Sequence, residues 1–438
     1  MNIALIGSGG REHALAYQIS KSPTLTKLYN IPGNPGTGNV GENILIQKNE
    51  EMVEFCLRNN IDLVVIGPEK PLVDGVANLL RSNGINVFGP DSAAAQIEGD
   101  KSFAKWLMQK YNIPTASFKA FTKSEYESAI KYLKDLQYPT VIKASGLAAG
   151  KGVLICNNYD EAKTSVDDIF KNEIFGEAGD ALVIEEFMEG EEASIFAITD
   201  GLDYICLPAA QDHKRIGDND TGKNTGGMGA YAPAPIITAE LQKRIENEII
   251  IPTLKGLRKE NRKFIGCLYC GLMITSQRPK VVEFNCRFGD PETQVVLPLL
   301  DGDFVKLLYS AATGKLDKDA VKYNGGSAVC VVAASKGYPD KYKKGFEIMG
   351  ILSESFGHPF GKGLNNFPLD DVIIFQAGTK KVDNKIVTNG GRVLGVTAVI
   401  NKNDLKLCKS KAYEALKKIS FQNIYYRTDI ADKGIKRI

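Results

Sequence analysis

The 438-residue sequence has no excess of charge: 54 Lys and Arg residues stand against 52 Asp and Glu residues, a formal net charge of +2. It therefore lacks the electrostatic footprint of a protein that binds nucleic acid or an anionic membrane surface. It also lacks an apolar run of about 18 residues and a basic, apolar leader of the signal-peptide type. These absences favour a cytoplasmic protein.

Histidine is scarce, with three residues, and the eight cysteines are scattered through apolar segments. One pair, Cys267 and Cys270 in CLYC, has the spacing of zinc ligands, but no second pair or nearby histidine completes a set of four. The cysteines are interpreted as small buried side chains in a reducing compartment. No internal repeat at a fixed period and no low-complexity tract is apparent.

The sequence instead shows strand and helix patterns in three successive stretches. Over residues 1–100, apolar strands such as NIALIG and DLVVIG alternate with helical segments such as REHALAYQIS. Strands without a polar face, alternating with helices, predict a doubly wound parallel sheet. Residues 101–323 combine longer helices with hairpin-like strands, and residues 324–438 predict a small α+β domain. The predicted fold class is therefore α/β with three units.

Three glycine-rich segments are candidate phosphate sites, and the first is GSGGREH, Gly7 to His13. It follows a strand and opens a helix, but Glu12 occupies the place of the third glycine of a dinucleotide fingerprint. The second strand also lacks the acidic residue that binds a ribose, so a nicotinamide cofactor is disfavoured. The backbone N–H groups of Gly9 and Gly10 suit a phosphate monoester, and a tight turn without a ligand is the alternative.

The second segment, KASGLAAGKG, differs from a P-loop. Only three residues separate Gly146 from Gly150, Lys151 is not followed by Ser or Thr, and a strand, VLIC, stands where a P-loop has a helix. The pattern predicts a hairpin flap whose backbone amides close over a polyphosphate, with Lys143 and Lys151 as point charges. A flexible hairpin with solvated lysines is the alternative.

The third segment, NTGGMGAY, follows QDHKRIGDNDTG, which is too polar and glycine-rich to be core and predicts a functional loop. Further along, Glu283 and Asn285 lie two apart in a predicted strand, on one face. A carboxylate and an amide oxygen are suitable ligands for Mg²⁺ that is shared with substrate phosphates. More polar residues follow at once: Arg287, Asp290 and Glu292.

The segment ALVIEEFMEGEE ends an apolar strand in carboxylates: Glu185, Glu186, Glu191 and Glu192. These side chains can accept hydrogen bonds from the amino group or the ribose hydroxyls of a nucleotide. A solvated acidic turn is the alternative.

In their order along the chain, KASGLAAGKG, EEFMEGEE, QDHKR with NTGGMGAY, and EFNCRFGDPE resemble the ATP-grasp superfamily. With GSGGREHAL, PGNPGT, GPEKPLVDGV and TNGGRVLGVTA, the chain more closely resembles the phosphoribosylamine–glycine ligase family, from residue 4 to about residue 400. The resemblance implies a central ATP-grasp domain with a flap subdomain at about residues 115–189. It also implies the ATP-dependent ligation of glycine to 5-phosphoribosylamine through glycyl phosphate, an early step of purine biosynthesis.

The resemblance also implies roles for individual residues. Three lysines would contact the ATP phosphates, residues 185–188 would contact the adenine, and Glu192 would contact the ribose. Arg215 and Asn224 would reach the polyphosphate from the long loop. The residues expected to bind ATP are therefore Lys105, Lys143, Lys151, Glu185, Glu186, Phe187, Met188, Glu192, Arg215 and Asn224. Mg²⁺ or Mn²⁺ would be bound by Glu283 and Asn285. The implied catalytic residues are Asp212, Lys214 and Arg287, and the implied substrate-binding residues are Gly9, Gly10, Asn34, Pro68, Glu69, Asp290 and Glu292. The implied partners are three small-molecule substrates: glycine, 5-phosphoribosylamine and ATP. The protein is expected to be a monomer.

The chain departs at two places from the pattern of the proteins that it resembles. CLYCGLMIT has no acidic residue where many ATP-grasp enzymes have a further metal ligand, and Ser145 stands where many family members have Asp. Other functions stay open: another ATP-grasp ligase or carboxylase, a nucleotide-sensing protein, or an oxidoreductase. No biotin-attachment-like domain is evident in the sequence, and a sensor would leave Glu283 and Asn285 without a purpose.

Overall fold

The computed structural model describes residues 1–148, 152–351 and 371–438. Within those ranges, no helix has both the length and the apolar character needed to cross a membrane. Gly150 and Lys151 are not within those ranges, so the predicted role of Lys151 lies outside the described part of the chain.

The N-terminal part alternates strands and helices. Its elements are β1 (Asn2–Gly7), α1 (Gly10–Ser20), β2 (Lys27–Pro32), β3 (Glu42–Asn43), α2 (Asn49–Arg58), β4 (Leu63–Ile66), α3 (Glu69–Val73), α4 (Val76–Ser82), β5 (Val87–Phe88) and α5 (Ser92–Gly99). The strands are parallel in the order β3-β2-β1-β4-β5. Ile3 belongs to one apolar core and Ala4 to another, because successive side chains of a strand point to opposite faces. The predicted doubly wound sheet is confirmed.

The topology of this sheet explains where its functional loops lie. The strand order reverses between β1 and β4, and ligands of open α/β sheets bind beyond the carboxyl ends of strands at such a point. Gly9 and Gly10 follow β1, and Pro68 and Glu69 follow β4. Four of the residues expected to bind substrate therefore lie at one crevice.

A separate antiparallel sheet follows. The elements are α6 (Lys101–Lys110), β6 (Phe118–Thr122), α7 (Tyr126–Leu133), β7 (Thr140–Ala144), β8 (Val153–Cys156), α8 (Tyr159–Phe170) and β9 (Ala181–Glu186). The strand order is β6-β9-β7-β8, and residues of α7 and α8 share its apolar core. Because β7 and β8 pair antiparallel, the glycine-rich segment between them joins two strands of a hairpin and does not open a helix as a P-loop does.

The central part continues with further strands and four α-helices. Its elements are β10 (Glu191–Thr199), β11 (Tyr204–Cys206), β12 (Gln211–Asp212), β13 (Arg215–Gly217), β14 (Thr221–Asn224), β15 (Gly229–Ala232), α9 (Ala239–Ile245), α10 (Ile251–Lys259), β16 (Gly266–Ile274), β17 (Pro279–Asn285), α11 (Thr293–Val296), β18 (Leu300–Gly302), α12 (Phe304–Ala312) and β19 (Val321–Tyr323). One sheet has the order β11-β10-β16-β17. On β16, Cys267 and Cys270 are buried in different apolar cores, so the pair does not converge on one metal.

The C-terminal part supplies the remaining elements: β20 (Ser327–Ser335), β21 (Val372–Gln376), β22 (Thr379–Val382), β23 (Lys385–Thr388), β24 (Arg392–Ile400), α13 (Leu405–Leu416), β25 (Ile424–Tyr425) and α14 (Asp432–Ile435). Its sheet has the order β12-β15-β20-β24-β21, with β25 also paired to β20. Two strands from the predicted central unit thus complete the C-terminal sheet. The expected boundary between residues 323 and 324 stays a prediction.

Candidate functional site

Two buried lysines converge on one carboxylate where α6 meets the sheet of β7 and β9. The Nζ atoms of Lys105 and Lys143 lie 3.1 Å and 3.0 Å from Glu185 Oε2. Glu185 is 3% exposed, and its other oxygen, Oε1, has no hydrogen-bond partner. Burial lowers the pKa of Lys105 to about 8, against the opposing effect of Glu185. Two cations against one carboxylate leave a net positive charge, which suits a phosphate.

An irregularity in β17 brings these lysines to the predicted metal ligands. The register of β16 and β17 shifts so that Gly271 pairs with Glu283 while Leu272 pairs with Val281. The skipped residue, Val282, turns its carbonyl oxygen to Lys143 Nζ at 3.1 Å. A bulge of this kind redirects side chains at the end of a strand.

Glu283 and Asn285 lie on one face of β17, as predicted. Lys214 Nζ lies 2.6 Å from Glu192 Oε2 and 3.5 Å from Glu283 Oε1. Burial acts to raise the pKa of Glu283, but Lys214 and neighbouring lysines hold it below its usual value. The Asn285 amide is satisfied when its nitrogen donates to Glu98 Oε1 at 3.1 Å, which leaves its oxygen for a ligand. An ionised carboxylate and an amide oxygen fit a hard divalent cation.

Within the described ranges, no group of three His, Cys, Asp or Glu side chains could by itself hold a metal ion. A cation at Glu283 and Asn285 would therefore complete its coordination with phosphate oxygens and water, as Mg²⁺ commonly does.

Arg287 connects β17 to the crevice of the N-terminal sheet. Its Nη2 donates to Glu98 Oε1 at 2.9 Å and its Nε to Glu69 Oε2 at 3.2 Å. Burial opposes ionisation of Glu69, but Arg287 and Arg11 lower the pKa of this carboxyl group to about 2. Glu69 is thus an anion that holds Arg287 in place.

A cleft of about 920 Å³ lies between the N-terminal crevice and the C-terminal sheet, and it is lined by Ser8, Gly9, Gly10, Asn34, Asp290, Lys380, Lys381 and Arg392 among others. Arg392 Nη2 lies 3.3 Å from Asp290 Oδ2, and Gln294 Nε2 donates to Asp290 Oδ1 at 2.8 Å. Asn34 joins the two walls because its Nδ2 donates to the carbonyls of Ser8 and Gln376 at 2.8 Å and 2.9 Å. The cleft combines backbone donors and cations, which suit a sugar phosphate.

The loop after β1 differs from expectation in one respect. The N–H of Gly9 donates to Glu12 Oε2 at 2.6 Å, so Glu12 caps α1 from the place of the missing glycine. Gly10 is the first residue of α1 and remains the better placed of the two to present its N–H group to an anion.

Two carboxyl groups, those of Asp212 and Glu292, interact electrostatically with Arg392 of the cleft. Burial, followed by the charge of Glu292, raises the pKa of Asp212 well above its usual value, and Asp212 Oδ1 is buried without a partner. Glu292 Oε1 accepts hydrogen bonds from Ser194 and Tyr269, each at 2.9 Å. The unpartnered Oδ1 makes Asp212 a candidate group for proton exchange with a substrate.

The remaining predicted ATP residues are more exposed. Glu186 pairs with Lys280 at 2.7 Å, and Phe187, 40% exposed, follows at the end of β9; Met188 comes next in the chain. Arg215 and Asn224 are paired residues of the β13–β14 hairpin, which replaces the predicted loop. Arg215, which was expected to reach the polyphosphate, instead donates from its Nη1 to the Gly222 carbonyl within the hairpin at 2.7 Å. The neighbouring Lys214 is the residue whose side chain approaches Glu283.

Several residues of the site were missed by sequence reasoning: Arg11, Glu98, Lys101, Gln294, Lys380, Lys381 and Arg392. Lys101 Nζ donates to the Gly146 carbonyl at 3.0 Å, beside the flap. Arg392 follows two glycines in TNGGRVLGVTA, a signal that could have marked it. Its role nevertheless depends on Asp290, which is about a hundred residues away in the chain.

The chain matches the models of the three phosphoribosylglycinamide synthetase domains: the N domain over residues 1–98, the ATP-grasp (A) domain over 99–293 and the C domain over 328–433. A phosphoribosylamine–glycine ligase of Caldanaerobacter subterraneus subsp. tengcongensis is 45% identical over 433 residues, 98% of this chain and 99% of that protein. A ligase of the same name from Leptospira interrogans is 46% identical over 440 residues, 99% of each chain.

Solved structures agree with these matches. The crystal structure of the phosphoribosylamine–glycine ligase from Thermotoga maritima has a TM-score of 0.83 and 35% identity, with 98% of this chain and all of that chain covered. The biotin carboxylase domain of Hydrogenobacter thermophilus 2-oxoglutarate carboxylase, in complex with magnesium ADP and bicarbonate, has a TM-score of 0.72. It covers 97% of this chain and 91% of its own, but at 16% identity it shows a shared fold only. The chain belongs to the phosphoribosylamine–glycine ligase family of ATP-grasp enzymes.

Proposed function

We propose that the chain catalyses the ATP-dependent ligation of glycine to 5-phosphoribosylamine, which yields glycinamide ribonucleotide, ADP and phosphate in purine biosynthesis. Its membership of the family, by relatives about 45% identical over the whole chain, supports this activity. The geometry adds two binding regions of different character, one with buried lysines beside Glu283 and the other a cleft beside Asp290.

One observation carries the proposal: a single segment, residues 283–292, borders both regions. At its start, the Glu283 carboxylate faces Lys214, and the positive charge of Lys143 helps to lower the pKa of Glu283. At its end, Asp290 lines the cleft and pairs with Arg392. A phosphoryl donor on one side and an amine on the other can therefore meet glycine between them, which is the arrangement that a two-step ligation requires.

The first step transfers the γ-phosphoryl group of ATP to a carboxylate oxygen of glycine and releases ADP. Lys105, Lys143 and Lys214 surround the phosphates and offset the repulsion between two anions. Arg287, fixed by Glu69 and Glu98, stabilises the carboxylate that is being phosphorylated. A divalent cation held by Glu283 and Asn285, for which we propose Mg²⁺, would neutralise charge on the transferring group.

In the second step the amine of 5-phosphoribosylamine attacks the carbonyl carbon of glycyl phosphate. The C–N bond forms, the C–O bond to phosphate breaks, and the amine loses a proton. We assign that proton to Asp212, whose buried Oδ1 has no hydrogen-bond partner among the described residues. The cleft at Gly10 and Arg392 binds the 5-phosphate of the amine substrate. A covalent Ser, Cys or His intermediate is unnecessary because phosphate is already a leaving group.

We further propose that the enzyme acts as a monomer in the cytoplasm. All the residues assigned to the two steps come from one chain, so a second copy is not needed to complete the site. Light scattering of the purified protein tests this proposal, and we expect the mass of a single chain.

The test is ADP formation by the purified protein with freshly prepared 5-phosphoribosylamine. ADP should form only when glycine and the amine are both present, and bicarbonate should not replace glycine. ADP formation with bicarbonate alone would instead indicate a carboxylase. Glycine labelled with heavy oxygen in its carboxylate should transfer one label to inorganic phosphate. Label that stays wholly in the amide product would exclude the acyl phosphate.

A further inference from the structure

A fully buried arginine near the C-terminus holds the β13–β14 hairpin. The side chain of Arg427 is 0% exposed and is the largest side chain buried to this degree among the described residues. Its Nη1 donates to the Arg215 carbonyl at 3.0 Å and to Asp220 Oδ1 at 2.9 Å. Its Nε and Nη2 donate to the two oxygens of Asp429 at 2.7 Å and 2.6 Å.

Neighbouring residues of the C-terminal segment reinforce this contact. Asp218 accepts hydrogen bonds from Thr428, from the backbone nitrogen at 2.8 Å and from the hydroxyl at 2.5 Å. The hydroxyl of Tyr425 donates to the Ile216 carbonyl at 2.9 Å. All of these bonds join the hairpin to residues about 200 positions later in the chain.

This docking adds to backbone hydrogen bonds around Lys214: its carbonyl accepts from the Thr225 N–H at 2.8 Å, and the preceding His213 N–H donates to the Gly229 carbonyl at 2.9 Å. β13 and β14 form a two-stranded sheet of their own, and an isolated hairpin is at best marginally stable in water. Lys214 directly precedes Arg215, the residue whose carbonyl Arg427 holds. The side chain that lies 2.6 Å from Glu192 and 3.5 Å from Glu283 therefore belongs to the residue next to the anchored carbonyl.

We propose that Arg427 is a positioning residue for phosphoryl transfer: it fixes the hairpin backbone so that Lys214 stays against Glu283. The inference rests on the proposed function, because it takes Lys214 as a group that acts on the transferring phosphoryl. Arg427 acts through the Arg215 carbonyl and not by touching substrate. Five donors in a rigid plane suit this task, since they hold a backbone carbonyl and two carboxylates at once.

The decisive experiment is a double-mutant cycle of Arg427→Met with Lys214→Met. Arg427→Met should lower kcat by roughly 10- to 100-fold, the effect of a misplacement of about 1 Å at a catalytic group. The KM for 5-phosphoribosylamine should stay close to that of the wild type. The double variant should be no slower than Lys214→Met alone, because the two changes remove one shared contribution. Additive losses, or an equal rise in KM for all three substrates, would overturn the proposal.

A second variant keeps the test independent of folding. Asp218→Ala removes the bonds to Thr428 at the partly exposed end of the hairpin, and it should show the same non-additivity with Lys214→Met to a smaller extent. Lys409→Met is the matched control, because it removes an ion pair with Asp432 within the C-terminal part and should leave kcat unchanged. If Lys214→Met alone has wild-type kcat, the positioning role is wrong along with the assigned role of Lys214. The ligase activity is tested separately by ADP formation in the wild-type protein.

Discussion

At the scale of single residues, Glu283 is the side chain whose role is easiest to isolate. It is ionised and lies 3.5 Å from Lys214, so Glu283→Gln changes one charge without changing shape. We expect a large fall in kcat, roughly 100-fold or more, with a smaller change in ATP affinity at saturating magnesium, because the carboxylate stabilises charge that develops during transfer. Steady-state kinetics measure both quantities. Glu414→Gln, on α13, is the control, and equal kcat for the two variants would remove Glu283 from the mechanism.

Lys105 gives the expected pH dependence of ATP binding. Its pKa of about 8 lies below the ordinary value of 10.5, so the side chain is charged below pH 8 and neutral above it. ATP binds the charged form better, and its affinity should therefore fall as the pH rises from 8 to 9.5, by at most about tenfold per pH unit. Calorimetric titration with ATP measures this change. Lys105→Arg keeps its charge over that range and should remove the dependence. A flat wild-type profile would contradict the assignment.

At the scale of elements, the N-terminus of α1 forms one wall of the cleft. A Cβ atom added at Gly10 would lie 2.7 Å from Gln294 Nε2, the end of a flexible side chain that can shift without unfolding the protein. Gln294 holds Asp290, so the shift reaches the substrate site.

Gly10→Val should therefore lower kcat/KM for 5-phosphoribosylamine by a cost of roughly 2 to 4 kcal/mol, the size of a lost preorganised donor. The KM values for ATP and glycine should stay nearly normal. Gln294→Ala is the matched control, because it removes the bond to Asp290 without filling the space. If the KM for ATP alone rises, the loop after β1 contacts the nucleotide and the cleft is assigned wrongly.

At the scale of the whole molecule, the central and C-terminal parts share a sheet. β15 is buried along its length and pairs with β20, and Gln376 bonds to both Asn34 and His13 of the N-terminal part. A fragment of residues 1–326 would expose β15 as an unpaired edge, which is an aggregation risk.

We expect that fragment to be insoluble or aggregated when it is expressed alone, and to be recovered when residues 327–438 are expressed with it. Size-exclusion chromatography and circular dichroism of the two preparations measure the difference. A monomeric fragment 1–326 that binds ATP normally would show that the shared sheet is dispensable for the central part.

The features that depend on local pattern could be predicted from neighbouring residues alone. Alternating apolar strands and helices identified the doubly wound sheet, and residue spacing put Glu283 and Asn285 on one face of a strand. The order of motifs identified the family. Each of these inferences needs only neighbouring residues, because strand alternation and turn chemistry act over a few positions.

The contacts between distant residues became known from the folded chain. It paired Lys105 and Lys143 with Glu185, whereas the sequence indicated separate contacts to phosphate and adenine. It joined β15 to β20 across the expected domain boundary. It also showed that residues 215–224, which were predicted to be a loop, form a hairpin whose backbone is bound by Arg427. Charge pairing and strand pairing over long separations depend on which surfaces become buried together, and that property belongs to the folded chain and not to any segment of it.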